Sequence, residues 1–208
     1  MLIEENGICV PFAVNLFTRS EPPAAERVVG ERGLHRTNVG LLSECTVQDR
    51  PGFLLVEAKA HESELHRHGK SREDGASKQS QTNHNKIAAT LAQTEEWFRA
   101  NVHRHCAISV DAHYQFAANR LSAAERLASC GVPVVLLYLG FTGDTYFRAD
   151  YLRDPAHWQR VMRAYLEGVI PLWWPGTTTP HGQGSVTMLK TSLPVQSISI
   201  RTTELSNA

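Results

Sequence analysis

The amino-acid sequence predicts a single α/β domain in which helices flank a central mixed β-sheet. Two runs, 53–56 and 132–140, are apolar enough to be strands that are buried on both faces. Segments with the spacing of amphipathic helices lie before and after the second run, as in a sheet that is covered by helices. The chain has 208 residues, of which 42% are hydrophobic, and this suits one well-buried domain over residues 1–208.

Local signals predict where each element begins and ends. Ser20-Glu21-Pro22-Pro23 predicts a helix start, because proline suits the first turn, and the helix would run to 32. Strands are predicted at 38–45 and 53–60, joined by a turn at Asp49-Arg50-Pro51-Gly52, and a mobile polar loop at 66–85. The later predictions are helices at 84–100, 112–130 and 154–167, a strand at 132–140 and one or two short strands between 185 and 201.

The composition narrows the classes of protein. With 21 basic and 21 acidic residues, the chain has no general attraction to nucleic acid and would need a local basic channel to bind it. No apolar run approaches the roughly 20 residues that cross a bilayer, and residues 1–5 lack the pattern of a signal peptide. The four cysteines form no CxxC pair and no zinc-site spacing. We therefore expect a cytoplasmic protein with no membrane partner.

The segment 53–61 contains the most informative pattern in the chain. It begins as an apolar strand but then carries Glu57 and Lys59. Alternation along a strand places both side chains on the same face, next to each other. An unpaired charge in an apolar interior costs several kcal/mol. The pair therefore indicates contact with a metal or a substrate.

Glu57-Ala58-Lys59 resembles the E-x-K motif of the PD-(D/E)xK nuclease superfamily, whose fold is restriction-endonuclease-like. In that superfamily the motif carboxylate and an acid on the preceding strand bind a divalent metal, usually Mg²⁺, which suits hard oxygen ligands. The lysine helps to position the attacking water and stabilises charge at the phosphate. The resemblance implies that Glu57 and Lys59 are catalytic and that Glu57 binds Mg²⁺ or Mn²⁺. The block 112–144 also resembles bacterial proteins of unknown function that share an E-A-K-A-H segment.

The second metal ligand is expected on the strand before Glu57. If the hairpin folds about residues 48–51, Glu44 lies opposite Glu57, with β-carbons about 5 Å apart. Glu44 is therefore the first candidate ligand, and Asp49, which lies in the predicted turn, is the second. The superfamily commonly has an aspartate at this point, so a glutamate departs from its pattern.

A polar stripe follows one side of the predicted helix 112–130. It contains Gln115, Asn119, Ser122 and Arg126, spaced at i, i+4, i+7 and i+11. Neutral amides suit a phosphate or a metal-bound water, and nucleases of this superfamily often carry a glutamine on the helix after the motif. We predict that Gln115 is catalytic and that Asn119 binds substrate. For Ser122 and Arg126 the favoured interpretation is an exposed side of the helix.

Histidines follow the E-x-K segment directly. His61 continues the strand face of Glu57 and Lys59 and is a candidate substrate contact, as is Lys70 in the predicted loop. His61, His66 and His68 could converge on zinc from a loop. A solvated loop is the favoured interpretation, because no cysteine or second ligand pair has matching spacing.

Three function classes remain open. The leading hypothesis is a metal-dependent phosphodiesterase that cuts nucleic acid, with DNA favoured over RNA. Because nucleases that cut both strands often dimerise, a homodimer is one option. The main alternative is a catalytically inactive relative that binds nucleic acid or protein, and a zinc-dependent hydrolase is the third.

Overall fold

A computed structural model describes residues 2–5, 8–11, 41–65, 77–110, 119–145 and 150–195. The strands are β1 (Leu2–Glu5), β2 (Ile8–Pro11), β3 (Leu41–Val47), β4 (Arg50–Lys59), β5 (Pro133–Thr142), β6 (Thr178–His181) and β7 (Gly184–Pro194). The helices are α1 (Lys78–Asn101), α2 (Asn119–Ser129) and α3 (Pro155–Leu166), with a short 3₁₀ helix at Glu62–Glu64. In the part of the chain described, no helix is long and apolar enough to cross a bilayer.

Five strands form one mixed sheet in the order β3-β4-β5-β7-β6, and β1 pairs with β2 separately. The three inner strands, β4, β5 and β7, run parallel, whereas β3 and β6 are antiparallel edges. The carboxyl ends of the inner strands therefore lie at the same edge of the sheet. This arrangement confirms the predicted α/β class with a central mixed sheet and flanking helices.

Alternating side chains divide the core into two layers. Leu55, Leu136 and Met188 belong to the layer that contains the buried residues of α1, α2 and α3. Leu54 and Val135 belong to a smaller apolar layer on the other face of the sheet. The odd-numbered residues of β4 therefore face the helices, and this determines where the side chains at 57 and 59 point.

The hairpin between β3 and β4 differs from the prediction. Its turn consists of Gln48 and Asp49, with φ of 49° and 61°, as a two-residue hairpin turn requires. Arg50, Pro51 and Gly52 are therefore strand residues, and the prediction of a turn there is wrong. Gly52 lets two strands approach, because a β-carbon on it would lie 2.4 Å from the Pro133 carbonyl oxygen.

The described helices agree with the predictions in type and differ at their ends. Helix α1 begins at Lys78, because the Ser77 side chain accepts a hydrogen bond from the Ser80 N–H at 3.2 Å. The predicted loop is therefore wrong for 78–85, and 66–76 lies outside the described residues. The predicted helix at 20–32 and residues 112–118 also lie outside them. Helix α3 starts as predicted, with Asp154 accepting from the His157 N–H.

Candidate functional site

Glu57 lies near the carboxyl end of β4 and is 6% exposed. Lys59 Nζ is 2.9 Å from Glu57 Oε1, and Arg120 Nε donates a hydrogen bond to Glu57 Oε2. The side chains of Lys59 and Arg120 are 14% and 9% exposed. Glu57 and Lys59 therefore share one face, as alternation predicts, and the two cations pair with both carboxylate oxygens. We call these three residues the Glu57 cluster.

Arg120 reaches the cluster from the first turn of α2. Ala124, Leu127 and Ala128 follow it at i+4, i+7 and i+8, and all four residues are buried against the sheet. Arg120 Nη1 is buried and has no hydrogen-bond partner among the described residues. Leaving such a donor unpaired costs about 1–3 kcal/mol or more. A ligand that accepts a hydrogen bond from Nη1 would remove this cost.

Arg120 was not predicted from the sequence. The predicted site residues lie on the polar stripe of the helix, whereas Arg120 lies on the apolar one. The sequence pattern that could have revealed it is one face of the helix, formed by Arg120, Ala124, Leu127 and Ala128. Arg120 is the first residue of this face, and the other three are apolar. A charge on such a face must be paired in the fold.

Residues on the two neighbouring strands, β5 and β7, surround the cluster. Tyr138 pairs with Glu57 across β4 and β5, and Lys190 pairs with Tyr138 across β5 and β7. Burial raises the pKa of Tyr138 well above its usual value, and Tyr165 and Glu57 act in the same direction. The phenol therefore stays neutral. Lys190 lies about 10 Å from Glu57, two strand spacings away, and burial, aided by Arg163, lowers its pKa.

Gly140 pairs with Lys59 and leaves room for Trp158 below the site. A β-carbon on Gly140 would lie 2.5 Å from Cδ2 of the Trp158 ring. Trp158 is fully buried. The aromatic ring therefore packs directly against the backbone of β5 and supports the floor of the cluster.

The predicted metal ligands Glu44 and Asp49 do not reach Glu57. Glu44 pairs with Phe53 and is exposed, so it lies four residues, or about 13 Å, along the strand from Glu57. Asp49 lies in the turn at the other end of β4, about 26 Å away. The predicted register is wrong because the chain turns at Gln48 and Asp49, about two residues earlier than expected, which changes the partner of Glu44 from Glu57 to Phe53.

The other predicted site residues are partly described. Asn119 is half-buried next to Arg120, while Gln115 and Lys70 lie outside the described residues. Ser122 is buried against the expectation of an exposed side, and Arg126 is exposed as expected. Of the two predicted amides the structure describes Asn119, which directly precedes Arg120 in α2.

His61 follows β4 and forms an isolated bridge with Tyr151. Its Nδ1 is 2.7 Å from Ser63 Oγ. The Glu64 carboxylate accepts from the backbone N–H of Ala60 at 2.8 Å. These contacts hold the chain in place just beyond Lys59. His61 therefore lies at the carboxyl end of β4, the end that carries the Glu57 cluster.

A magnesium site with two carboxylates does not fit the residues that the structure describes. Among them no group of three or more His, Cys, Asp or Glu side chains could hold a metal ion. Glu57 is the single acid of the cluster, and both of its oxygens pair with cations. Mg²⁺ binds through hard oxygen ligands, usually one or two carboxylates with waters and phosphate. A metal here would have to compete with Lys59 and Arg120 for the same two oxygens.

The chain matches no family model, no curated protein and no solved structure. The resemblance to the nuclease superfamily therefore rests on the segment 53–61, and the block 112–144 resembles only bacterial proteins of unknown function. What the structure adds is a buried acid, a largely buried lysine and a buried arginine whose Nη1 has no partner among the described residues, all at the carboxyl edge of parallel strands. Ligands of open α/β sheets commonly bind at this edge.

Proposed function

We propose that the protein is a phosphodiesterase that acts on nucleic acid, with DNA preferred to RNA, and that its site is the Glu57 cluster in a restriction-endonuclease-like domain. The observation that carries this proposal is the pairing of one buried carboxylate with two cations. The formal charge of the three side chains is +1. A phosphodiester carries one negative charge, so it would neutralise the cluster.

The chain's own groups have distinct roles in this proposal. Arg120 donates from Nη1 to a phosphate oxygen, because a guanidinium can contact a carboxylate and a phosphate with different N–H groups. Lys59 adds a second positive charge close to the reacting phosphate. Such charges stabilise the transition state of phosphoryl transfer, in which negative charge spreads over the phosphate oxygens. Glu57 holds both cations in position.

Mg²⁺ or Mn²⁺ remains part of the nuclease hypothesis through the resemblance only. Among the described residues Glu44 pairs with Phe53 and not with Glu57, and no group of three or more His, Cys, Asp or Glu side chains could hold a metal ion. The roles given above are therefore those of side chains, and none depends on a metal. Gln115 and Lys70 stay predictions for the catalytic glutamine and for a substrate contact.

A second candidate function is nucleic-acid binding without hydrolysis. It is favoured by one observation, namely that both oxygens of the only carboxylate in the cluster are paired with cations. Such a carboxylate is poorly placed to accept a proton from water. The two candidates share phosphate binding and differ in whether the bond is cut.

One experiment separates the two candidates. Purified protein is incubated with single- and double-stranded DNA and RNA in Mg²⁺, Mn²⁺ or EDTA, and cleavage and binding are measured on the same labelled strands. Cleavage that Arg120→Gln abolishes and Arg126→Gln leaves intact supports the phosphodiesterase, because Arg126 is exposed on the same helix. Binding without cleavage in any condition supports the second candidate. Neither binding nor cleavage contradicts both.

A further inference from the structure

A cavity of about 340 Å³ lies beside α3. Glu62 and Leu65, which line it, follow β4 within six residues of Lys59. Tyr165, another lining residue, lies near enough to Tyr138 to raise its pKa. The Leu152 N–H donates to the Ala60 carbonyl at 3.3 Å, so the segment that carries Arg153 lies at the same end of β4 as Glu57 and Lys59. The volume of the cavity is within the range of small-ligand sites, about 300–1,000 Å³.

The polar side of the cavity carries more positive than negative charge. Arg153 and Arg160 line it and are exposed. The one acid, Glu62, lies 3.0 Å from Nε2 of the buried His157. His157 Nδ1 accepts from the backbone N–H of Arg153 at 3.1 Å, so the ring proton belongs on Nε2, where it faces Glu62. Glu62 is thus held by His157, and the two arginines give this side its positive charge.

The opposite side of the cavity is apolar. Leu65, Val161 and Tyr165 line it, and Tyr165 is a buried residue of the core. An apolar wall that includes an aromatic ring suits the flat face of a nucleobase. Such packing depends little on which base is bound, because every base has such a face. Arginines next to such a wall suit a phosphate. One nucleotide unit combines both features.

We propose that this cavity binds the nucleotide adjacent to the phosphate held by Arg120 and Lys59. The inference rests on the proposed function, because it treats the cavity and the Glu57 cluster as two parts of one groove for a single strand. The base packs between Leu65, Val161 and Tyr165, and Arg153 and Arg160 pair with its phosphate. A base can enter only when it is unstacked, so the bound stretch is single-stranded.

The test uses two fluorescein-labelled strands of equal charge, a 12-mer of thymidylate and a 12-unit abasic phosphodiester. Binding of both is measured by anisotropy for the wild type, Arg153→Ala/Arg160→Ala, Val161→Trp and the control Arg126→Ala. Removing two phosphate contacts should weaken binding of the thymidylate strand about tenfold and make it less dependent on salt. Val161→Trp, which fills the cavity, should remove the advantage of the thymidylate strand over the abasic one. Thermal melts identify any variant that fails to fold. If Val161→Trp does not fold, the variant Arg153→Ala/Arg160→Ala still tests the cavity, because both arginines are exposed.

The outcomes for the cavity and for the proposed function differ. If the wild type binds or cuts the thymidylate strand and the cavity variants match Arg126→Ala, the cavity proposal is overturned and the proposed function stands. If the cavity variants lower affinity, and raise KM with unchanged kcat where cleavage occurs, the cavity proposal is supported. If the cavity variants weaken binding while the wild type never cuts, the cavity proposal is supported and hydrolysis is contradicted. A wild type that binds neither strand overturns both.

Discussion

Two largely buried carboxylates join α2 to the sheet, and their partners differ. Glu57 on β4 pairs with Lys59 and with Arg120 of α2. Glu125 on α2 has its Oε1 2.9 Å from His181 Nε2 of β6. Thr94 Oγ1 of α1 lies 3.5 Å from the other oxygen of Glu125. Both acids therefore connect separate elements, but only Glu57 is surrounded by two permanent charges.

The difference separates a structural pair from a ligand site. Glu125 has one titratable partner and one hydroxyl, which is what holding α1, α2 and β6 together requires. The Glu57 cluster has one more cation than its acid can neutralise, and one guanidinium nitrogen without a partner in the described residues. Buried polar groups are nearly always paired, so an unpaired one calls for an explanation such as a ligand. A phosphate would supply an acceptor for that nitrogen and a negative charge beside the two cations.

The largest expected effect is on stability, in Glu57→Gln. The change removes the carboxylate that pairs with two nearly buried cations, and breaking a buried ion pair in this way costs about 3–5 kcal/mol. Glu125→Gln should cost about 1 kcal/mol, because the amide can still make a hydrogen bond to His181. Urea denaturation measures both free energies of unfolding, with the exposed Glu44→Gln as the control. Equal losses of stability for Glu57→Gln and Glu125→Gln would contradict the proposed difference between the two carboxylates.

The next effect is on cleavage, in Lys59→Ala. Losing a positive charge beside the reacting phosphate should lower the rate roughly 100- to 1000-fold, or about 3–4 kcal/mol. Folding should change little, because Arg120 still pairs with Glu57. The measurements are cleavage rates and thermal melts for Lys59→Ala and for Lys86→Ala, an exposed lysine of α1. If both variants cut at the wild-type rate, Lys59 is not catalytic.

The sequence was sufficient to predict the class of fold and the face of the E-x-K pair. Apolar runs and alternation depend on local pattern alone, so β4, β5 and the common face of Glu57 and Lys59 could be predicted. The hairpin register could not, because one choice of turn displaces the pairing of the whole strand. Asp49-Arg50-Pro51-Gly52 has strong turn residues, yet the chain turns at Gln48-Asp49 and uses Gly52 for close contact with Pro133.

The candidate site depended on contacts that are distant in sequence. Arg120 is 63 residues from Glu57, and only the packing of α2 on the sheet brings them together. The prediction of Glu44 failed because it depended on the register, and Asp49 lies in the turn at the far end of β4 from Glu57. The charged residue on the apolar face of α2 was the one local clue to a partner for Glu57.

A smaller effect tests the Glu125 side of the comparison. His181→Ala removes the hydrogen bond to Glu125 and a ring contact with Trp97, whose centroid is 5.2 Å away. The free energy of unfolding should fall by about 1–2 kcal/mol. Nucleic-acid binding should stay at the wild-type level, because the pair has a structural role. Weaker binding in the folded variant would contradict that role.

The smallest effect concerns buried groups that have neither role, the thiols of Cys45 and Cys106. Burial raises the pKa of each thiol from 9.0 to about 11. Near Cys106 the backbone N–H of Ile108 and Arg99 act in the opposite direction, and burial outweighs them. These thiols stay neutral because no neighbouring charge compensates sufficiently for their burial. Glu57, in contrast, has a cation paired with each of its carboxylate oxygens. Both thiols should therefore be protonated and unreactive at pH 8 in the folded protein.

The sign of the pH dependence follows from proton binding. Between pH 9 and 11 the unfolded chain loses these protons while the folded chain keeps them, so the free energy of unfolding should fall as pH rises.

The protection of the two thiols is measured as the rate of thiol modification at pH 8 in a Cys9→Ser background, where the half-buried Cys130 should react first. Unfolding in urea should then release Cys45 and Cys106 together. Modification of either one as fast as Cys130 in the folded protein would show that burial does not keep these thiols neutral and protected. In that case the contrast between buried groups with and without counter-ions would lose its support.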